Sequence, residues 1–190
     1  MGHSQTEKAQ SRERIVDRAA KQIRKNGLQS VSVGKLMSAV GLTHGGFYGH
    51  FSSRSELLAV ALERAMSEGA ESFHAEHPQS HAAFETILRR YLSRRHRDHP
   101  AEGCAIAALA GDAARSDETI RRAMSSHIKA FADEILDSLN GDDRGTALFI
   151  IGALVGTLTL SRVLDTKDSD ALLAAAKREL FTLDAGRNSH

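Results

Sequence analysis

Proline occurs only at positions 78 and 100 of the 190 residues, so the chain contains long segments with nothing to interrupt a helical backbone. Those segments are rich in Ala, Leu, Arg and Glu, and alternating β-branched runs are almost absent. The expected fold class is all-α. A chain of this length can bury roughly 70% of its unfolded surface, so no disulfide or structural metal is needed to hold it. The single cysteine, Cys104, has no intramolecular partner, which excludes the disulfide-rich secreted class and fits a reducing, cytoplasmic setting. Residues 1–14 are polar and lack the apolar run of a secretory signal.

Charge is unevenly spread. Residues 1–55 hold nine basic side chains and three acidic ones, a net +6, and the remainder carries −5. A basic N-terminal segment on an acidic body suits contact with a polyanion; taken alone it also fits a solvated helix face.

Hydrophobic spacing places helices in order. Ile15, Val16, Ala19, Ala20 and Ile23 lie on one face of a helix over about 8–26, stopped by Asn26-Gly27. Ser32 can cap a short second helix bearing Val33, Leu36, Met37 and Val40, which Gly41 ends. Thr43 can cap a third bearing Phe47, Tyr48 and Phe51, so the pair forms a helix-turn-helix. Three glycines in that third helix, at about 1 kcal/mol each relative to Ala, make it marginal. Ser53 and Glu56 form a capping box that opens a long fourth helix running to Pro78. Five further helices are expected over about 80–97, 103–114, 117–139, 143–164 and 169–182, nine in all. The expected division is a helix-turn-helix domain over 1–55 and a helical body over 56–190.

The stretch Val33 to Leu58, VGKLMSAVGLTHGGFYGHFSSRSELL, resembles the DNA-binding signature of TetR/AcrR-type transcriptional regulators through Gly41, Thr43, Gly45, Phe47, Tyr48, His50, Phe51, Ser53 and Arg54. The resemblance implies an N-terminal three-helix DNA-binding domain followed by a ligand-binding and dimerisation domain. It further implies a homodimer bound to double-stranded operator DNA, most often a repressor released by a small-molecule effector. On the residues themselves, Thr43 leaves the amides of its helix facing outward, where a phosphate can be held. Tyr48, His50 and Arg54 are polar-tipped groups suited to phosphate oxygens, whereas His44 alone among the exposed recognition positions offers strong base-reading capacity. The candidate DNA-contacting set is Ser32, Thr43, His44, Gly45, Tyr48, His50, Ser53 and Arg54.

In the body, Ala147 to Leu160 is apolar nearly all round but short of the roughly 20 residues of a membrane span, so it reads as a buried helix with no membrane partner. Gly152 and Gly156 form a small-residue ridge that permits close helix contact. The resemblance implies that the last two helices pair with those of a second subunit, giving Gly152, Val155, Gly156 and Thr159 as interface candidates. It also implies an effector pocket in the body, for which Phe84, Tyr91, Cys104, Leu109, His127 and Phe131 are candidate lining, or simply core.

Cys104, at a predicted helix start, is either a small hydrophobe or a redox-sensitive thiol, the latter defining an alternative as a helical small-molecule-binding or redox-sensing protein. His74, His77, His81, His96 and His99 match no known metal-ligand frame, and no nucleophile–base arrangement or Gly-rich phosphate loop is legible. Neither a metal, a cofactor nor an enzymatic activity is expected.

Overall fold

The computed structural model describes residues 5–75, 84–100, 103–139, 141 and 143–187. These residues form nine α-helices and two 3-10 helices, with no strand among them. The N-terminal module comprises α1 (Gln5–Asn26), a 3-10 turn (Leu28–Ser30), α2 (Val33–Ala39) and a 3-10 recognition helix (His44–Gly49). After it come α3 (Arg54–Ala75), α4 (Phe84–Tyr91), α5 (Arg94–Asp98), α6 (Ala105–Ala114), α7 (Glu118–Ser138), α8 (Arg144–Ser161) and α9 (Thr166–Arg187). His3, His77, His81 and Pro78 lie outside the described residues.

Two differences from the sequence pattern have local causes. The segment expected as one helix over 80–97 is split, because Ser93 adopts extended geometry and its hydroxyl caps α5 by accepting the His96 amide at 3.1 Å. The recognition helix is 3-10 rather than α, in keeping with Gly45, Gly46 and Gly49 among its six residues.

Gly27 and Gly41 take φ values of +81° and +75°, the left-handed conformation that ends α1 and turns the chain out of α2. Gly27 has a second constraint: a Cβ there would sit 2.7 Å from Oδ2 of Asp112. That carboxylate, on α6, accepts the Leu28 amide at 2.9 Å and so ties the first corner of the chain to the middle of the body.

The apolar interior reinforces the tie. One cluster joins Ile15, Ile23, Leu36, Phe47, Phe51 and Leu62 to Ile106, Leu109, Ala113, Ile120 and Met124 of α6 and α7. A second cluster packs α4 with α7, α8 and α9 through Ile87, Leu88, Ile135, Ile150, Leu154 and Leu173. Cys104, Phe131 and Val155 touch both. α3 runs between α1 and α7, with Arg24 paired to Glu68, and Arg64 to Glu13 and Asp17.

Because Leu28 is fully buried, removing its acceptor should leave an orphaned amide costing about 1–3 kcal/mol. Asp112→Ala should therefore lower unfolding stability by that amount, with Asp112→Asn, which retains an acceptor oxygen, much closer to the wild type; urea melts followed by circular dichroism measure both.

Candidate nucleic-acid interface

The recognition segment is built on its aromatic residues. Phe47 and Phe51, 1% and 2% exposed, stack 5.6 Å apart and anchor it in the first core cluster. The chain between them is then held at the surface, where Tyr48, 69% exposed, leans edge-on against Phe47 at 5.3 Å. Thr43 sits at the N-cap in extended geometry and its hydroxyl accepts the Gly46 amide at 3.3 Å, as the sequence suggests. His44, Gly45, Gly46 and Gly49 are all exposed, and the His44 ring lies over Gly34 of α2.

Ser32 occupies the N-cap position of α2 but makes no side-chain cap bond, so the sequence expectation of a hydroxyl cap does not hold there. The exposed hydroxyl is left for another partner. Ser53 does cap α3, accepting the Glu56 amide at 3.0 Å. The reciprocal half of the capping box is displaced by one residue: the Glu56 carboxylate accepts from the amide and hydroxyl of Ser52, both at 2.6 Å, and those bonds hold its pKa below the usual carboxylate range.

Arg54 departs from the role expected of it. Its Nε donates to the Val31 carbonyl at 3.1 Å and Nη2 to that of Leu28 at 3.0 Å, so the half-buried guanidinium braces the connection between α1 and α2. Spacing shows a cation just past the recognition helix but not where its fork turns.

His50 closes the segment. Its Nδ1 is buried without a hydrogen-bond partner, and burial, then Lys8 and Arg12, push its pKa below the ordinary histidine value. Arg12 also stands over the Phe51 ring at 4.8 Å. Lys8 and Arg12 enter the sequence argument only as part of a net charge, yet the fold brings these α1 cations to the end of the recognition helix. Only the length and phase of α1 could have signalled it.

The expected pocket residues do not form one group. Leu109 belongs to the first cluster and Phe84 to the second. His127, on α7, is partly buried, and desolvation lowers its pKa against the opposing charge of Glu63. Tyr91, Cys104 and Phe131 do come together, with Tyr91 stacked on Phe131 at 5.9 Å. They are joined by His96 and Arg162, which the pocket reading of the sequence omitted. Among the described residues no group of three or more His, Cys, Asp or Glu side chains is placed to hold a metal ion.

α8 buries Ala147, Ile150, Ile151, Leu154, Thr157, Leu158 and Ser161 on one face. It is long and apolar enough to cross a membrane by length and composition, but this face packs on α6, α7 and α9. The opposite face exposes Leu148, Phe149 and Leu160, continued by Val163 and Leu164 beyond the helix. A Cβ added to Gly152 or Gly156 meets nothing within 4 Å. Thr159 is exposed too, whereas Val155, expected beside them, turns inward onto both clusters.

A solvent-facing recognition helix on a buried aromatic anchor, in an all-helical chain, defines a helix-turn-helix DNA-binding protein. Residues 15–61 match the family model of bacterial regulatory proteins, tetR family. The chain superposes on a TetR transcriptional regulator from Chloroflexus aurantiacus J-10-FL with TM-score 0.75 and 24% identity, covering 93% of this chain and 95% of that one. A TetR-family regulator from Cytophaga hutchinsonii gives TM-score 0.76 at 18% identity, with 98% of each chain covered. The reduced form of Escherichia coli NemR gives 0.72 at 16%, covering 89% and 96%. No curated protein matches the sequence. Residues 15–61 thus form an N-terminal domain of the tetR family, and the chain as a whole has the fold of TetR-family regulators.

The bracing role of Arg54 is measurable without DNA. Arg54→Ala should lower stability by about 1–3 kcal/mol, because two carbonyls lose a charged donor, and Arg54→Lys, which lacks the planar fork, should recover only part of it. Thermal unfolding of the free protein reports the difference.

Proposed function

We propose that the protein is a homodimeric repressor that binds double-stranded operator DNA through residues 1–55 and is released by a small-molecule effector held in residues 56–190, acting in the cytoplasm without enzymatic chemistry. The observation that carries the reading is the recognition helix, which faces solvent through His44, Gly45, Gly49 and Tyr48 while Phe47 anchors it. In this reading Ser32, Thr43, Gly45, Tyr48, His50 and Ser53 contact the phosphate backbone, Lys8 and Arg12 add charge beside them, and His44 faces base edges. Arg54 serves by holding the connection between α1 and α2 in place.

The exposed apolar stripe of α8 supports a two-fold interface in which Gly152, Gly156 and Thr159 meet the same face of a second copy. Two recognition helices would then enter half-sites about one helical turn apart, or a multiple of it. An effector that alters their separation weakens the fit, and the tie between Asp112 and the Leu28 amide is a direct path for that change.

Two measurements test this reading. Substituting Lys8 by Ala should weaken binding to all sequences alike and reduce the magnitude of the salt slope by about one per half-site. His44→Ala should relax preference at particular operator positions by roughly 1 kcal/mol or more with the slope nearly unchanged. Operator binding indifferent to His44, Tyr48 and His50 together would reject the interface.

Assembly is tested separately. Since a Cβ at Gly156 meets nothing within 4 Å in its own protomer, Gly156→Leu should leave the protomer folded, which a melting curve checks, while weakening dimerisation at least tenfold in sedimentation. A wild-type protein that stays monomeric at micromolar concentration would remove the two-fold model.

A second reading, redox sensing at Cys104, is favoured by the Arg162 and Tyr91 side chains beside the thiol. It requires Cys104→Ser to keep DNA binding and lose release by oxidants.

A further inference from the structure

α4, α5, the start of α6, α7 and the end of α8 converge on Tyr91, His96, Cys104, Phe131 and Arg162. His96 is fully engaged: Nδ1 donates to the Tyr91 carbonyl at 2.7 Å and Nε2 accepts the Cys104 amide at 2.8 Å. This fixes a neutral ring, which burial favours against the Tyr91 bond, and which Arg162 and Arg90 favour further. It brings no negative charge to the site.

Two groups are left short of partners. Arg162 donates from Nε to the Arg97 carbonyl at 3.2 Å and from Nη2 to the His96 carbonyl at 3.1 Å, but no carboxylate among the described residues pairs with it. Being half-buried, it has its pKa lowered by desolvation, with Tyr91 and Cys104 facing it. The Tyr91 hydroxyl, on a residue 3% exposed, has no hydrogen-bond acceptor. The Cys104 thiol beside it is a weak acceptor outside hydrogen-bond geometry, and burial together with that thiol pushes the hydroxyl's pKa up. A half-buried cation with no carboxylate partner among the described residues and a buried donor without a good acceptor thus face each other, beside the N-terminus of the ten-residue helix α6.

We propose that this cluster is the effector site of the regulator and that its ligand is a carboxylate, seated between the Arg162 guanidinium, the Tyr91 hydroxyl and the first turn of α6. The proposal rests on the effector-responsive reading above. A carboxylate supplies both missing partners at once. A cation would be repelled by Arg162, and a neutral carbonyl would satisfy Tyr91 but leave Arg162 unpaired. Tyr91, with Phe131 stacked on one side and the His96 ring edge-on to it, makes the surroundings largely aromatic, so a carboxylate on a short hydrocarbon fits better than a bare inorganic anion. α6 leads from this site to Asp112, the acceptor of the Leu28 amide, and so links occupancy to the DNA-binding module.

The chain has two tyrosines and no tryptophan, so in a Tyr48→Phe background the fluorescence comes from Tyr91 alone. Acetate, butanoate and hexanoate are titrated into that full-length protein at constant ionic strength, with acetamide, butanamide and hexanamide as controls. At least one carboxylate should give saturable binding, tenfold or more tighter than its amide. Arg162→Gln should weaken it at least tenfold and Arg162→Lys less; melting curves confirm that each variant is folded. Tyr91→Phe, followed by the ligand-induced shift in Tm, should weaken binding several-fold without lowering the Tm of the free protein, because the hydroxyl removed had no partner.

Equal response to carboxylates and amides, or binding that survives both Arg162→Gln and Tyr91→Phe, would overturn the carboxylate site. Operator release is measured in parallel in the protein that retains Tyr48. Carboxylate binding that leaves operator affinity unchanged would overturn the effector role while leaving the site; release by another compound, undiminished in Arg162→Gln, would overturn the site while the ligand-responsive reading stands.

Discussion

The rest of the structure depends on the burial of α6 into the same apolar core as the DNA-binding helices. Leu109 and Ala113 lie in one cluster with Ile15, Phe47 and Leu62, so the N-terminal module has no interior of its own. Hydrophobic contact is non-directional and would tolerate sliding of α6 along α1. The bond from the Leu28 amide to Asp112 supplies direction, and Gly27 is the residue that lets the carboxylate approach. Just past the end of α6, the Ser55 hydroxyl bonds the Asp117 carboxylate, which also caps α7 through the Ile120 amide.

This arrangement has a consequence for regulation. A module with an independent core could be carried by the body as a rigid appendage, and movement at the α6 N-terminus would not reach it. Here α6 belongs to both clusters through Cys104 at its first end, and its far end is bonded to the corner after α1. Packed interiors transmit displacement because they hold few voids to absorb it. The recognition helix, short, glycine-rich and anchored by Phe47 and Phe51, follows wherever that core moves.

Much of the fold is legible in the sequence because it is set locally. The 3.6-residue spacing of Ile15, Ala19 and Ile23, the stops at Gly27 and Gly41, and the caps at Thr43 and Ser53 are decided within a turn or two of chain. The recognition segment is legible for the same reason: its aromatic anchors and its polar positions fall within nine residues. Where two local preferences compete, reading fails. Ser93 could continue a helix or cap one, and it caps; Ser32 stands at a cap position without bonding as one.

What the sequence by itself determined is the all-helical class, the position of the recognition helix and the presence of an apolar helix over 144–161, since each follows from side chains close together in the chain. Only the tertiary structure decided which way long or ambivalent side chains turn. Arg54 folds back to two carbonyls more than twenty residues earlier, and α8 divides into a buried face and an open one although both are apolar. Tyr91 and Arg162 come together only when α4 meets the end of α8, far apart in sequence. Periodicity records how hydrophobic a face is, and the direction of a guanidinium or the orphaning of a hydroxyl depends on which distant groups packing brings beside it.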